Sequence, residues 1–234
     1  MASSIGLSSW KLALIDPMTN LVIPTEKGGL PTTDSKYNGV FIANLLTSRG
    51  ATTANLSGMD GAIQKIYGSD AVADVSVGNP EPTVALAANS LPHEVQALVQ
   101  GLTKISESGS YRKQAGSRLP YVALMTDSHD WDGNRIHFGF FMGVMALANA
   151  NQATNNNQQQ RATDSYTYTA IASDAGDPYE VLWEAENGYD YDKFAHHIFP
   201  QTAADVIQPS DQAEGSHPVA NIKPDAGVGG TGNN

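Results

Sequence analysis

One stretch of this 234-residue chain carries a clear helix signal, and that scarcity constrains the fold more than any other feature. Residues 91–101 read Leu-Pro-His-Glu-Val-Gln-Ala-Leu-Val-Gln-Gly. Pro92 suits a first helical turn, where the N–H has no intrahelical partner in any case. Glu94 in the same turn complements the positive end of the helix dipole. Val95, Leu98 and Val99 then share one face, and Gly101 follows as a C-cap. A short helix with a single apolar stripe must dock on something flat. Almost everything around it reads as strand or loop, so the expected partner is a β-sheet.

Strand signals fill much of the remaining sequence. Trp10–Ile15 alternates as a half-buried strand, Asp16–Asn20 is turn material, and Leu21–Ile23 is the natural return. Thr25–Asn38 reads as loop and Val40–Leu46 as strand. Residues 47–79 are rich in Thr, Ala, Ser, Gly and Asp, with short strands at Ala51–Leu56, Ile63–Tyr67 and Val72–Val77. This segment reads as an extended hairpin or loop excursion rather than core. Thr83–Ala88 leads as a strand into the helix, and a polar loop surrounds Ser106–Ser110.

Tyr121–Met125 is apolar without a break, as expected of a strand covered on both faces. Ile136–Met142 pairs with it across the turn-rich Asp127–Asn134, and Gly143–Ala150 continues the second strand. Asn155–Gln160 is a low-complexity polar crossing. Ser165–Ile171 alternates strictly with strong β formers, and Val181–Ala185 is one more strand. Tyr191–Phe199 reads as a short amphipathic helix ended by Pro200. Beyond Thr202 the chain is dominated by Pro, Gly, Asp and Asn, and 227–232 is linker-like.

The length suits one large β domain or two small ones, and length alone does not choose. There is no cysteine, which removes disulfides and thiolate chemistry together and suits maturation in a reducing cytoplasm. No run approaches the roughly 18 apolar residues of a membrane span, and Met1–Gly6 lacks the marks of a signal peptide. The formal net charge is -11 and is uneven. From Asp174 onward there are 11 acidic and 2 basic residues. Such a chain is poorly suited to gripping nucleic acid through its phosphates. The acidity serves solubility, or keeps DNA from sticking to a surface it passes.

Candidate chemistry is thin. His129-Asp130-Trp131-Asp132-Gly133-Asn134 offers an imidazole and two carboxylates, either as a metal loop or as an ordinary hairpin tip; it lacks the ligand spacing of an EF-hand. His196 and His197 are adjacent, without the i, i+4 spacing of a helical zinc site. Asp174, Asp177, Glu180, Glu184 and Glu186 form either paired carboxylates for glycoside chemistry or, the better reading, a solvated acidic face. Tyr166 and Tyr168 read as packing on a neighbouring strand rather than stacking on bases. No catalytic residue, metal ligand or cofactor site is assigned, and an enzyme is not expected.

The pairing of Leu91-Pro92-His93-Glu94-Val95-Gln96 with Pro120-Tyr121-Val122-Ala123-Leu124 resembles the major tail proteins of long-tailed, non-contractile bacteriophages, the phi13-type family. The resemblance spans roughly residues 8–175 and is carried by residues 84–142. It implies a mainly β fold, a β-sandwich or half-barrel with one flanking helix at about 92–100, a long loop excursion and extended termini. On this reading residues 1–200 form the tail-tube domain, with an N-terminal arm at 1–9 and a stacking loop at about 47–79, and residues 201–234 form an acidic, Pro/Gly-rich extension.

The function the resemblance implies is structural. Six copies form a ring, rings stack into a tube in the phage tail, and DNA passes through the lumen without specific binding. Its expected partners are further copies of the chain and the tail terminator, tape-measure and baseplate or initiator proteins. Assembly would take place in the host bacterial cytoplasm, with no membrane involved. Residues 1–9, 47–79 and those after about 186 are expected to meet neighbouring subunits, with the helix behind the channel wall. The alternatives are another tail ring protein, either terminator or baseplate hub, or a carbohydrate-binding adhesion module.

Overall fold

The computed structural model describes residues 4–149, 163–173, 176–203 and 205–207. The long strand β1 (Ile5–Ile15) pairs antiparallel with β2 (Val40–Ala43) on one side and β9 (Tyr121–His129) on the other. β9 turns into the 15-residue β10 (Arg135–Asn149), which pairs with β11 (Asp164–Ile171). β6 (Thr83–Ala88) and β3 (Ala51–Ser57) complete the path β2-β1-β9-β10-β11-β6-β3. An eighth strand, β12 (Glu180–Trp183), takes the edge of β10 at Ile136–Gly139, while β11 takes it at Met142–Asn149. The sheet curls until Cα atoms of β1 and β3 come within 8 Å of one another. It is a half-barrel with helices on both faces.

The unbroken apolar run of β9 is explained by what lies on either side. Val122 and Leu124 point into the concave core with Trp10, Leu12, Phe140, Tyr166 and Tyr168. Helix α2 (His93–Val99) plugs this core with Val95 and Val99. Ala123 and Met125 point the other way, onto helix α3 (Tyr191–Ile198) through Phe194, Ala195 and Ile198. Period-two alternation therefore serves two cores, not one core and solvent. Each large side chain buried this way contributes roughly 1.5–3 kcal/mol, so α3 is a substantial part of the fold.

The helix expected at 92–100 is α2, with Pro92 as its N-cap. Gly101 adopts φ +62°, its N–H bonds Leu98 O, and Leu102 N–H bonds Ala97 O. This is a Schellman cap, which needs the left-handed conformation that glycine adopts freely. Val95 and Val99 are buried as expected; Ala97 is buried too, and Leu98 lies half-buried at the edge.

Several expectations change. Val40–Leu46 is not all strand: β2 ends at Ala43, and Leu45–Ser48 form the short helix α1. Asn44 and Thr47 make a capping box there, an N-cap signal strong enough to end a strand. Ala51–Ser57, read as part of an excursion, pairs with β6 and belongs to the sheet. From that segment only the hairpin of β4 (Ile63–Gly68) and β5 (Ala71–Val77) projects, and a second small pair, β7 (Thr103–Lys104) with β8 (Tyr111–Arg112), also lies outside the main sheet. Ile5–Ser9, read as arm, lie on β9 through an irregular register and extend β1. The segment after about 186, expected to reach neighbours, instead packs at home through α3 and Phe199. The amphipathic helix expected at Tyr191–Phe199 is α3, and its apolar stripe covers the sheet's outer face.

The body also holds the chain past residue 200. Gln201 Nε2 donates to Asn38 O, and Ile207 N–H bonds Lys36 O at 2.9 Å. Asn155–Gln160, Asp174 and the linker-like end at 227–232 lie outside the described residues. Among the described residues no helix is long and apolar enough to cross a membrane.

Candidate assembly surfaces

The residues singled out as possible chemistry have structural work to do. At the β9–β10 tip, Asp130 accepts from Asp132 N–H, Asn134 N–H and the Asn134 side-chain amide at 2.8–3.0 Å. Those hydrogen bonds hold its carboxyl below the usual range and fix the turn. Glu184 accepts from Arg135 N–H at 2.7 Å, joining β12's end to β10. His197 Nδ1 lies 3.3 Å from Glu180 Oε2, while His196 sits exposed beside it. Asp177 and Glu186 are exposed on the same stretch without converging on a cleft. Tyr166 and Tyr168 are fully buried in the concave core. Among the described residues no three His, Asp or Glu side chains gather as a metal site.

The structure assembles one polar cluster that sequence spacing did not reveal. Lys11 Nζ donates to Asp34 Oδ2 at 3.0 Å and to the Tyr191 hydroxyl at 2.8 Å. His137 Nδ1 lies 2.6 Å from Asp127 Oδ1, and its Nε2 lies 3.1 Å from the Tyr189 hydroxyl. Ser9 donates to the other oxygen of Asp127 at 2.8 Å. Burial alone would raise the Asp127 carboxyl, but the hydrogen bond to His137, the charge of Lys11 and the Ser9 hydroxyl hold it below the usual range. Burial pulls Lys11 down, and Tyr191 with Asp34 more than reverse that.

These groups come from β1, β9, β10, the loop before β2 and the start of α3. Their chemistry is cohesion: each buried charge faces an opposite one. Ser9 donates to the carboxylate and not to the imidazole, so the order needed to activate a serine nucleophile is not formed. The clue in sequence was faint. Ser9 and Lys11 stand two apart on β1, both on the outer face otherwise used by Ala13 and Ile15.

What the chain leaves uncovered is more telling. Eight of the fourteen exposed large hydrophobic side chains among the described residues lie between Leu45 and Val77. Leu45 and Leu46, 78 % and 92 % exposed, are held out by the capping box of α1. In the projecting hairpin, Ile63 pairs with Val77, Lys65 with Val75 and Tyr67 with Val72. Ile63, Lys65, Tyr67, Val75 and Val77 share one face by the two-residue period, and the register shift between Ile66 and Tyr67 brings Val72 onto it, whereas Gln64, Ser76 and Asp74 share the other with Ile66. The hairpin is thus amphipathic, and its apolar face stays exposed among the described residues.

The hairpin turns through Ser69 and Asp70, with φ of +50° and +62°, the geometry of a type I′ turn. Beside its root, strands β3, β10 and β12 border an apolar cleft of about 750 Å³ lined by Leu56, Met59, Phe138, Tyr179, Val181 and Trp183. A half-barrel with an amphipathic arm and an apolar cleft is built for contacts with other chains.

Compared with known protein families, residues 1–206 match the phage tail tube protein family. The chain belongs to that family. The match begins before the stretch that carried the resemblance in sequence and ends at Val206, which bridges to Tyr37 of the body. A search for similar curated proteins returns no match. Phage tail tube proteins are structural and non-enzymatic, and membership makes this chain a tail component that self-assembles into a multi-subunit tube.

Proposed function

We propose that this tail tube protein forms hexameric rings that stack into the conduit through which phage DNA is ejected. Within it, Leu45, Leu46 and the projecting β4–β5 hairpin make contacts between subunits or rings. Assembly takes place in the host cytoplasm, with the tail terminator, tape-measure and baseplate proteins as partners. The observation that carries this reading is the concentration of exposed apolar side chains between Leu45 and Val77, beside the outer edge of β3 at the end of the sheet. A sheet edge of that kind is a template for another chain. In a closed ring it finds a partner on every subunit.

The net charge of -11 supports free passage of DNA, because a lumen without excess cations does not hold phosphates. Electron microscopy of the purified, concentrated protein tests the reading. Stacked rings with six-fold symmetry are expected. A persistent monomer that binds glycans would instead favour an adhesion module.

A further inference from the structure

We propose that the apolar face of the β4–β5 hairpin seats in the apolar cleft of a second copy of this chain, the two surfaces forming one head-to-tail joint. The inference rests on the tube reading and specifies which two surfaces meet. Ile63, Tyr67, Val72, Val75 and Val77 form the insert. Its receptor is walled by Tyr179 and Trp183, aromatic side chains of the kind that anchor interfaces, with Leu56, Met59, Phe138 and Val181 between them.

Charge selects this pairing. The apolar face of the hairpin carries a single charge, Lys65, beside Val75. The cleft lining carries a single acidic residue, Asp60. A lone cation on the insert and a lone carboxylate in the receptor give the joint a register as well as attraction.

The hairpin does not fill its own cleft. Met59 and Asp60 form both the cleft's rim and the hairpin's root, and Tyr179 pins that root by donating to Met59 O at 3.2 Å. From there the strands leave with Ile63 and Val77 exposed at 68 % and 63 %. Because insert and receptor are different surfaces of one chain, the contact is heterologous. Repeated from copy to copy in one direction, it closes a ring or continues a stack.

The chain has no cysteine, so site-specific cross-linking needs no background removal. Val75→Cys and Val181→Cys proteins, mixed and assembled, should join through a short bis-maleimide into a dimer band that neither protein gives alone. Lys65→Glu and Asp60→Lys, both on exposed positions, should each raise the concentration needed for assembly about tenfold. The combined swap should restore it, with circular dichroism unchanged throughout. Tubes that assemble without a 75–181 cross-link, or a double swap that stays unassembled, would overturn the joint and leave the tube reading intact. If the unmodified chain forms neither rings nor tubes, both fall.

Discussion

Tyr168 crosses over β10 at Gly143, and a single added methyl there tests how tightly the three central strands are packed. Gly143 is registered against Val122 on β9 and against Ala170 on β11. Over it lies the Tyr168 ring, whose hydroxyl donates to Val122 O at 3.1 Å. Burial holds that phenol well above the ordinary tyrosine range. A Cβ at 143 would overlap the ring at Cζ, 2.6 Å from its hydroxyl oxygen and 2.5 Å from Thr169 O. The Thr169 oxygen is backbone and cannot swing aside. Either the ring leaves Val122 O unpaired, costing about 1–3 kcal/mol, or the strands part at an overpacking cost of about 1–3 kcal/mol. Both together put Gly143→Ala at about 2–6 kcal/mol.

Against a total stability of about 5–15 kcal/mol, that weakens the protein substantially, with Tm lower by about 4–24 °C. The assay is urea unfolding followed by tryptophan fluorescence, at dilutions where the midpoint no longer depends on protein concentration, so that assembly does not contribute. Tyr168→Phe removes the hydroxyl alone and should cost about 1–2 kcal/mol. A Gly143→Ala protein within about 0.5 kcal/mol of the parent would refute the steric argument. So would a Tyr168→Phe loss as large as that of Gly143→Ala.

Asp127 governs part of the acid limb of stability. Its folded carboxyl lies below the unfolded value of about 3.9, so its contribution is complete above that value and lost as pH falls through the folded one. Urea midpoints should therefore drop below about pH 5, and Asp127→Asn should flatten that drop while lowering the neutral-pH midpoint. Ser69→Asn with Asp70→Gly places the preferred residues in the type I′ turn and should slow hydrogen exchange in 63–77 severalfold without moving the global midpoint. Leu46→Gln should leave the monomer's stability within about 0.5 kcal/mol of the parent, since the side chain is 92 % exposed. The same substitution should reduce binding of a hydrophobic dye.

The sequence made the sheet legible wherever local pattern and tertiary demand agree. Tyr121–Met125 advertised two covered faces, and two cores meet it there. The Leu91–Gly101 helix carried its own cap signals and folded accordingly. Legibility failed where a neighbour distant in sequence decides. Ala51–Ser57 has a weak apolar pattern because it is an edge strand, half-exposed and paired on one side. Leu45-Leu46 looked like the end of a buried strand, since apolar character normally means burial; here Asn44 and Thr47 turn both outward. The Lys11–Asp34–Tyr191 cluster joins positions separated by 23 and 180 residues, and no local spacing encodes such a meeting.

Those failures fall into two groups with different meanings. Misreading Lys11 or Ala51 reflects tertiary structure completed within the chain, and the structure resolves it. Leu45, Leu46 and the hairpin are another matter: their apolar side chains stay exposed among the described residues. A two-stranded hairpin is marginal in water by itself, and five large apolar side chains on one exposed face gain nothing for an isolated monomer. Polar substitution at Ile63 or Val77 would cost such a monomer little. The rest of the chain spends its apolar residues efficiently, with both faces of β9 and the inner faces of two helices covered. An apolar face left open between Ile63 and Val77, in a chain of a tube-forming family, is the face that the proposed joint between copies covers.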